Sequence, residues 1–191
     1  MSDIIITNLS KSFGDKRVLE NFDLTLPGGG IYCIMGESGC GKSTLIKLIM
    51  GIYAPDSGEI AGVPRKIAAV FQEDRLCEDF SALTNVRIAA ARGVTAAQIA
   101  EEFRVLGLGG NEKTPARQLS GGMRRRVALI RAFMADASLV VLDEPFTGLD
   151  EDNRRAAIDY VSARRAGKTV IIVTHDPADA DALGADGVIR L

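Results

Sequence analysis

The sequence predicts an α/β fold with a mostly parallel sheet, an antiparallel β edge and a small helical subdomain inserted into the α/β core. Two nearly continuous apolar runs, 138–142 and 169–173, are typical of parallel strands that are buried on both faces. A third apolar segment, 31–35, leads through a glycine-rich loop into residues with helical spacing. Strands that alternate with helices in this way favour a parallel sheet covered by helices.

The antiparallel edge is predicted at the start of the chain. Segments 4–9 and 17–26 have the pattern of strands, and Gly14 and Asp15 form the turn between them. Phe13 stands just before this turn. It either stacks on an adenine ring or caps the core, and the residues alone favour neither alternative.

The helical subdomain is predicted at approximately 76–134, within a single domain that spans 1–191. Short strands at 59–61 and 66–71 precede it, and 81–108 is alanine-rich with apolar residues at helical spacing. The remaining segments follow the subdomain in chain order. They are a helix over 151–166, a helix over 179–183 and a last strand at 187–191.

Composition excludes several classes of protein. With 47% hydrophobic residues and 25% charged residues, the 191-residue chain can form a core and does not resemble a disordered segment. The net charge of −2 gives no support to general nucleic-acid binding. Three cysteines without a CxxC pair favour a reducing compartment over a disulfide framework or a zinc site. We expect neither a signal peptide nor a membrane-spanning segment.

The glycine-rich loop predicts a site for a nucleoside triphosphate. Its glycines let backbone N–H groups surround phosphate oxygens, and the helix that follows adds its N-terminal dipole. Lys42 would reach the β- and γ-phosphates, and the Ser43 hydroxyl would coordinate Mg²⁺. The predicted loop consists of Gly36, Glu37, Ser38, Gly39, Cys40, Gly41, Lys42, Ser43 and Thr44.

A second anion-binding arrangement is predicted at Ser120, Gly121 and Gly122, because a serine and two glycines precede a helical run. That run contains four arginines. We interpret these arginines as a solvated face of the helix, with one of them near a phosphate group. A surface patch that binds nucleic acid is the less favoured alternative. The four arginines are Arg124, Arg125, Arg126 and Arg131.

Polar residues follow three predicted strands, where ligands bind in open α/β sheets. Asp143 and Glu144 end the run 138–142; Asp143 would hold Mg²⁺ through water, and Glu144 would polarise the attacking water. Gln72 leaves the strand 66–71. His175, the only histidine, follows 169–173, and a contact with the γ-phosphate is favoured over a structural role.

In this order, these motifs resemble the ATP-binding subunit of ABC transporters across essentially the whole chain. The resemblance implies that Phe13 stacks on adenine and that Gln72 senses Mg²⁺ and the attacking water. It implies that 120–122 bind the γ-phosphate of ATP held by another subunit. Asp150 would lie in a loop that crosses the dimer interface, and His175 would be the switch histidine.

The resemblance also implies partners. Two ATPase subunits, either two copies of this chain or this chain and a similar one, would face each other head to tail around two ATP molecules with Mg²⁺. They would drive an integral-membrane permease from the cytoplasmic face of the cell membrane, without nucleic acid. The segment 71–76 resembles importers of the nitrate, sulfonate and taurine type; the transported molecule and direction depend on other subunits.

Met123 stands where the family usually has glutamine, and we expect slower hydrolysis that is not abolished. Two other functions compete with transport. One is an ABC-type ATPase that acts on nucleic acid or ribosomes, which usually carries a coiled-coil insertion or a second ATPase domain. The other is a small-molecule kinase, which needs a lid and an acceptor site and gives residues 119–122 no role.

Overall fold

The computed structural model describes residues 1–191, which form two sheets and six α-helices. The strands are β1 (Ile4–Phe13), β2 (Lys16–Leu26), β3 (Ile31–Met35), β4 (Ser57–Ala61), β5 (Ile67–Val70), β6 (Leu139–Asp143), β7 (Thr169–Val173) and β8 (Gly187–Arg190). The helices are α1 (Lys42–Ile49), α2 (Ala82–Arg87), α3 (Ala96–Val105), α4 (Gly121–Met134), α5 (Glu151–Ala163) and α6 (Pro177–Leu183).

The larger sheet is parallel and has the strand order β5-β6-β7-β3-β8. Every residue of β3, β6 and β7 is buried, which explains their continuous apolar sequence. The register pairs Ile34 with Val173, and Val173 with Asp143, so the three central strands end side by side. The loops that follow them therefore meet at one edge of the sheet.

The antiparallel strands form a separate three-stranded sheet with the order β2-β1-β4. The hairpin turn lies at the predicted glycine, and β1 continues to Phe13, four residues further than predicted. The two sheets enclose α1 and share a core cluster of 15 residues. The other face of the parallel sheet packs in a cluster of 30 residues that includes the helical region. Alternate β6 residues belong to each cluster, for example Val140 and Val141.

The predicted helical region contains two separate helices, and one predicted helix is shorter in the structure. Residues 81–108 form two helices, α2 and α3, and Gly93 between them has a φ of +92° that a helix does not use. The helix that begins at Glu151 ends at Ala163 and not at residue 166, because Arg164 leaves the helical region with a φ of −107°.

Candidate nucleotide site

The glycine-rich loop has the backbone shape that phosphate binding requires. Gly39 and Gly41 have φ values of +81° and +113°, which residues with a side chain rarely adopt. A Cβ atom on Gly41 would also lie 2.9 Å from a methyl group of Val18. Helix α1 begins directly after Gly41 without a side-chain cap and without an acidic residue in its first turn. Its first N–H groups are therefore available to an anion.

Lys42 lies folded against the loop. Its Nζ donates to the carbonyl oxygens of Gly36 and Glu37, both at 2.8 Å, and lies 3.9 Å from Cys40 Sγ. These bonds hold the ammonium group against the loop that is predicted to bind the phosphates. An incoming phosphate would compete with neutral carbonyl groups for this cation, and a charge-assisted bond is the stronger of the two.

The Ser43 hydroxyl lies 3.2 Å from Asp143 Oδ2, although the two residues are 100 positions apart in the chain. Burial raises the pKa of Asp143, and the neighbouring Glu144 adds to this rise, while the bond from Ser43 and the charges of Lys47 and Lys42 oppose it. A divalent cation would compensate such a buried carboxylate.

The donors at this point fit Mg²⁺. A hydroxyl and a carboxylate oxygen are hard ligands, and the structure contains no group of three or more His, Cys, Asp or Glu residues that could hold a metal ion without further ligands. Mg²⁺ is usually bound by one or two protein oxygens together with substrate phosphates and water. Ser43 and Asp143 could supply the protein oxygens, and Gln72 lines the same cleft.

Glu144 adopts a strained backbone conformation, with a φ of +51° that is uncommon for a residue with a side chain. Its Oε2 accepts a hydrogen bond from Thr147 Oγ1 at 3.1 Å and lies 2.9 Å from His175 Nδ1. Strained residues of this kind concentrate at functional sites, where the surrounding structure maintains them. Glu144 and His175 both line the cleft, so the strain and this contact make them candidates for a functional role.

These residues line one cleft with a volume of about 480 Å³. Its lining includes Phe13, Ser38, Gly39, Gly41, Lys42, Ser43, Thr44, Gln72, Asp143, Glu144 and His175, all predicted from the sequence. The cleft also includes Lys16, Val18, Thr147 and Val173. Lys16, Val18 and Thr147 were not predicted from the sequence. No motif surrounds Lys16 or Val18. The only signal for Thr147 is that it is a polar residue three positions after Glu144.

Phe13 lies in the lining of the cleft and is 45% exposed. It packs edge to face on Tyr53, with ring centroids 5.4 Å apart, and Lys11 Nζ lies 5.5 Å from its ring. Phe13 is therefore not a member of either core cluster, and it contacts the edge of the smaller one through Tyr53.

Residues 120–122 and Asp150 do not line this cleft. Ser120 caps α4 by accepting a bond from Met123 N at 3.3 Å, which leaves its hydroxyl proton free to donate. Asp150 caps α5 in the same way, from Asn153 N at 2.9 Å. A Cβ on Gly122 would lie 3.2 Å from Leu149, so the start of α4 and the loop before α5 are in contact.

The prediction that the arginines of α4 form a solvated face is wrong for Arg125 and Arg126. Arg125 and Arg126 are 9% and 7% exposed. Arg125 donates to the carbonyls of Phe71 and Gln72 at 2.8 and 2.5 Å, and Arg126 donates to that of Leu106 at 2.7 Å. These guanidinium groups donate hydrogen bonds to main-chain carbonyls of irregular segments that pack on α4. The arginine-rich sequence gives no sign of these distant carbonyl groups. Buried arginines also remove the basis for a nucleic-acid patch.

Arg131 also donates to main-chain oxygens, those of Asp74 and Arg75, at 2.9 and 2.7 Å. Met123 packs against the larger hydrophobic cluster. None of the six helices is long and apolar enough to cross a bilayer.

A cleft made by a glycine-rich loop, the start of a helix and acidic strand ends defines a phosphate-binding-loop nucleotide site. The sequence profile of the ABC transporter family matches residues 19–147. The aliphatic sulfonates import ATP-binding protein SsuB 1 of Rhizobium johnstonii is 40% identical, over 98% of this chain and 73% of the relative. The Nod factor export ATP-binding protein I of Cupriavidus metallidurans is 35% identical, over 92% of this chain and 64% of the relative.

Solved structures agree with these sequence matches. A dimeric post-hydrolysis structure of an ATP-binding cassette with bound ADP and Pi superimposes with a TM-score of 0.84, at 27% identity, over 98% of this chain and 94% of that chain. The chain belongs to the ABC transporter family, in which it is an ATP-binding subunit that hydrolyses ATP. The fold expected from the motifs is confirmed.

Proposed function

We propose that the chain binds ATP and Mg²⁺ in the cleft described above and hydrolyses ATP with Glu144 as the general base. The observation that supports this most directly is the convergence of Lys42 and Ser43, at the start of α1, with Asp143 and Glu144, at the end of β6. Lys42 exchanges its carbonyl partners for the β- and γ-phosphates, and Phe13 stacks on the adenine ring. The remainder of the glycine-rich loop, from Gly36 to Thr44, surrounds the phosphates with N–H groups.

Mg²⁺, held by Ser43 and Asp143 with Gln72 nearby, would neutralise charge on the phosphates. The Glu144 carboxylate accepts the proton of the attacking water through Oε1, while His175 holds Oε2 through its 2.9 Å contact and reaches the γ-phosphate. Thr147 fixes the same oxygen from the other side. Both contacts restrict Glu144 before the nucleotide arrives, which lowers the cost of ordering it for reaction.

The cleft becomes complete only in a head-to-tail dimer, in which residues 120–122 and Asp150 of a second ATPase subunit face the ATP. Two observations support this dimer. Residues 120–122 and Asp150 do not line the cleft of their own subunit, and the start of α4 contacts the loop that ends at Asp150. Ser120 retains a free hydroxyl proton for the γ-phosphate, and α4 begins at this point with its N–H groups. The second subunit is a copy of this chain or a similar ATPase.

We infer that a membrane permease docks on the helical side of the subunit, at the cytoplasmic face of the membrane. Phe80 and Ile88 are large apolar side chains that are 48% and 61% exposed, shortly after Gln72 in the chain. The two residues flank the short helix α2, and exposed apolar side chains at both ends of one helix favour a protein partner. The SsuB 1 import protein is 40% identical to this chain, and the Nod factor export protein is 35% identical. This difference supports import of an aliphatic sulfonate or a related small organic anion.

Hydrolysis is tested by measuring Mg²⁺-dependent ATP turnover of the purified chain and of Glu144→Gln. We expect Glu144→Gln to lower kcat by about a hundredfold or more while ATP still binds, because the base is lost and the phosphate loop is not. Glu59→Gln, at an exposed position of β4, is the control and keeps normal turnover. Normal turnover of Glu144→Gln would contradict the assigned base.

The transport role needs a separate test, because ATP turnover alone does not show it. The chain is expressed in a bacterium from which the ATP-binding subunit of an aliphatic sulfonate importer has been deleted. Growth with ethanesulfonate as the only sulfur source is expected for the wild-type chain and not for Glu144→Gln. Failure to grow with full ATP turnover would contradict the sulfonate assignment and leave the hydrolytic assignment intact.

A further inference from the structure

Arg154, in the first turn of α5, forms ion pairs with two carboxylates that follow His175. Its guanidinium contacts Asp176, and Nη2 lies 2.6 Å from Asp179 Oδ1. The Arg154 N–H group also bonds to the carbonyl of Asp150, at 2.8 Å. Arg154 therefore connects the loop that ends at Asp150 with the loop that carries His175.

The contacts continue behind the histidine to its other neighbour in the chain. Asp179 is almost fully buried, and its second oxygen accepts a bond from Thr174 Oγ1 at 2.5 Å. Thr174 Oγ1 in turn accepts from the backbone N–H of Asp176 at 3.2 Å. The residues on both sides of His175 thus belong to one polar network, and Arg154 supplies its only guanidinium group. A buried carboxylate that loses its cation is costly.

The His175 imidazole has little support of its own. It is largely exposed, and its side chain makes one hydrogen bond, the contact with Glu144. Its position is therefore set by the backbone of Thr174 and Asp176 and not by packing around the ring. A change in the network that orients this backbone would move the imidazole relative to Glu144.

We propose that Arg154 is a positioning residue for His175, which transmits the position of the 148–150 loop to the contact between His175 and Glu144. The inference rests on the proposed function, in which that loop meets the second subunit and His175 holds Glu144. A second subunit that displaces Asp150 would move the first turn of α5. Through Arg154 it would also move the backbone around His175, so that hydrolysis depends on closure of the dimer.

The test compares two neighbouring arginines of α5. Arg154→Met removes the cation of the network, whereas Arg155→Met removes an exposed side chain that lies 3.7 Å from Glu151. We expect Arg154→Met to lower kcat about tenfold or more with KM for ATP changed less than about threefold, because the phosphate loop is intact. Arg155→Met is expected to keep kcat within about twofold. Arg154→Lys, which keeps a positive charge, should recover part of the loss.

The His175→Ala background separates positioning from general structural damage. If Arg154 acts through the imidazole, Arg154→Met lowers kcat less than about twofold further when His175 is already absent. An equal fold loss in both backgrounds, or normal kcat of Arg154→Met in the wild-type background, would overturn the inference. Normal kcat of His175→Ala alone would instead show that the proposed role of His175 is wrong, and the inference would fall with it.

A spectroscopic measurement gives an answer that does not depend on turnover. His175 is the only histidine, so its imidazole gives one Hε1–Cε1 signal in the NMR spectrum of labelled protein. We expect Arg154→Met to shift or broaden this signal at constant pH and Arg155→Met to leave it unchanged. If Arg154→Met does not fold, Arg154→Lys gives the same comparison with a smaller shift. An unchanged signal in the folded Arg154 variants would contradict the positioning role.

Discussion

Arg125 Nε lies 3.1 Å from Asp74 Oδ1, in an ion pair that is largely shielded from solvent. The same guanidinium donates to the carbonyls of Phe71 and Gln72, where β5 leaves the sheet. Helix α4, which begins at Gly121 directly after Ser120, is thereby joined to the segment that carries Gln72. The two regions predicted to contact nucleotide in different subunits are fixed to each other within this chain.

Replacement of Arg125 by methionine is expected to destabilise the fold. It leaves the Asp74 carboxylate without its nearest cation and two carbonyls without a donor, so we expect the free energy of unfolding to fall by about 3 kcal/mol. Urea unfolding followed by circular dichroism measures this change. Arg117→Met, which removes an exposed arginine paired with Asp79, is the control and should cost less than about 1 kcal/mol. Equal losses in both variants would contradict the structural role of Arg125.

The nucleotide cleft could be predicted because local sequence determines most of it. The glycines of 36–41, the apolar strands and the carboxylates of Asp143 and Glu144 are adjacent in sequence to the elements that position them. The parallel sheet then brings three strand ends together without further information, since ligands bind where such strands end. The end of a predicted strand placed Gln72 near the cleft, and the resemblance added its role and the residue Asp150.

The arginines could not be assigned in the same way. Arg125 and Arg126 have the charge of a solvated face, and their burial depends on carbonyls of Gln72 and Leu106 that lie far away in the chain. The network of Arg154 has the same property, because its partners follow it by 22 and 25 positions. Tertiary contacts decide these cases, and helical periodicity carries no signal for them.

The pair between Lys11 and Asp56 predicts a pH dependence of stability. The bonds from Lys11 and from the Ser12 backbone N–H, at 2.7 Å each, lower the pKa of Asp56 below its usual range. A carboxyl group whose pKa is lowered by folding stabilises the fold above its unfolded pKa, and this contribution disappears as the pH falls through its folded pKa.

Asp56→Asn is therefore expected to lower the melting temperature at pH 7 and to have a smaller effect at about pH 2.5, because below the unfolded pKa of an aspartate this contribution to stability decreases. Scanning calorimetry at the two pH values measures the difference. Asp15→Asn, in the exposed turn before β2, serves as the control. An equal shift of Asp56→Asn at both pH values would show that the carboxylate charge does not contribute.

The three cysteines are expected to differ in reactivity. Burial raises the pKa of Cys33 to about 12, whereas Cys77 is exposed and Cys40 is partly exposed. Because the thiolate is the reactive form, a disulfide reagent at pH 8 should modify Cys77 rapidly and Cys33 only after unfolding. Absorbance of the released thiolate follows the reaction, and Cys33→Ala should remove the unfolding-dependent step alone. Rapid modification of all three thiols in the folded protein would contradict the buried position of Cys33.

The composite ATP site is tested most directly by light scattering of Glu144→Gln protein, with and without ATP and Mg²⁺. We expect a change from monomer to dimer with ATP and Mg²⁺, because ATP that is bound but not hydrolysed contacts Lys42 and Ser43 of one subunit and 120–122 of the other. Adding Ser120→Arg should prevent this change while each subunit still binds ATP. A Glu144→Gln protein that stays monomeric with ATP and Mg²⁺ bound would contradict a composite site formed by two copies of this chain.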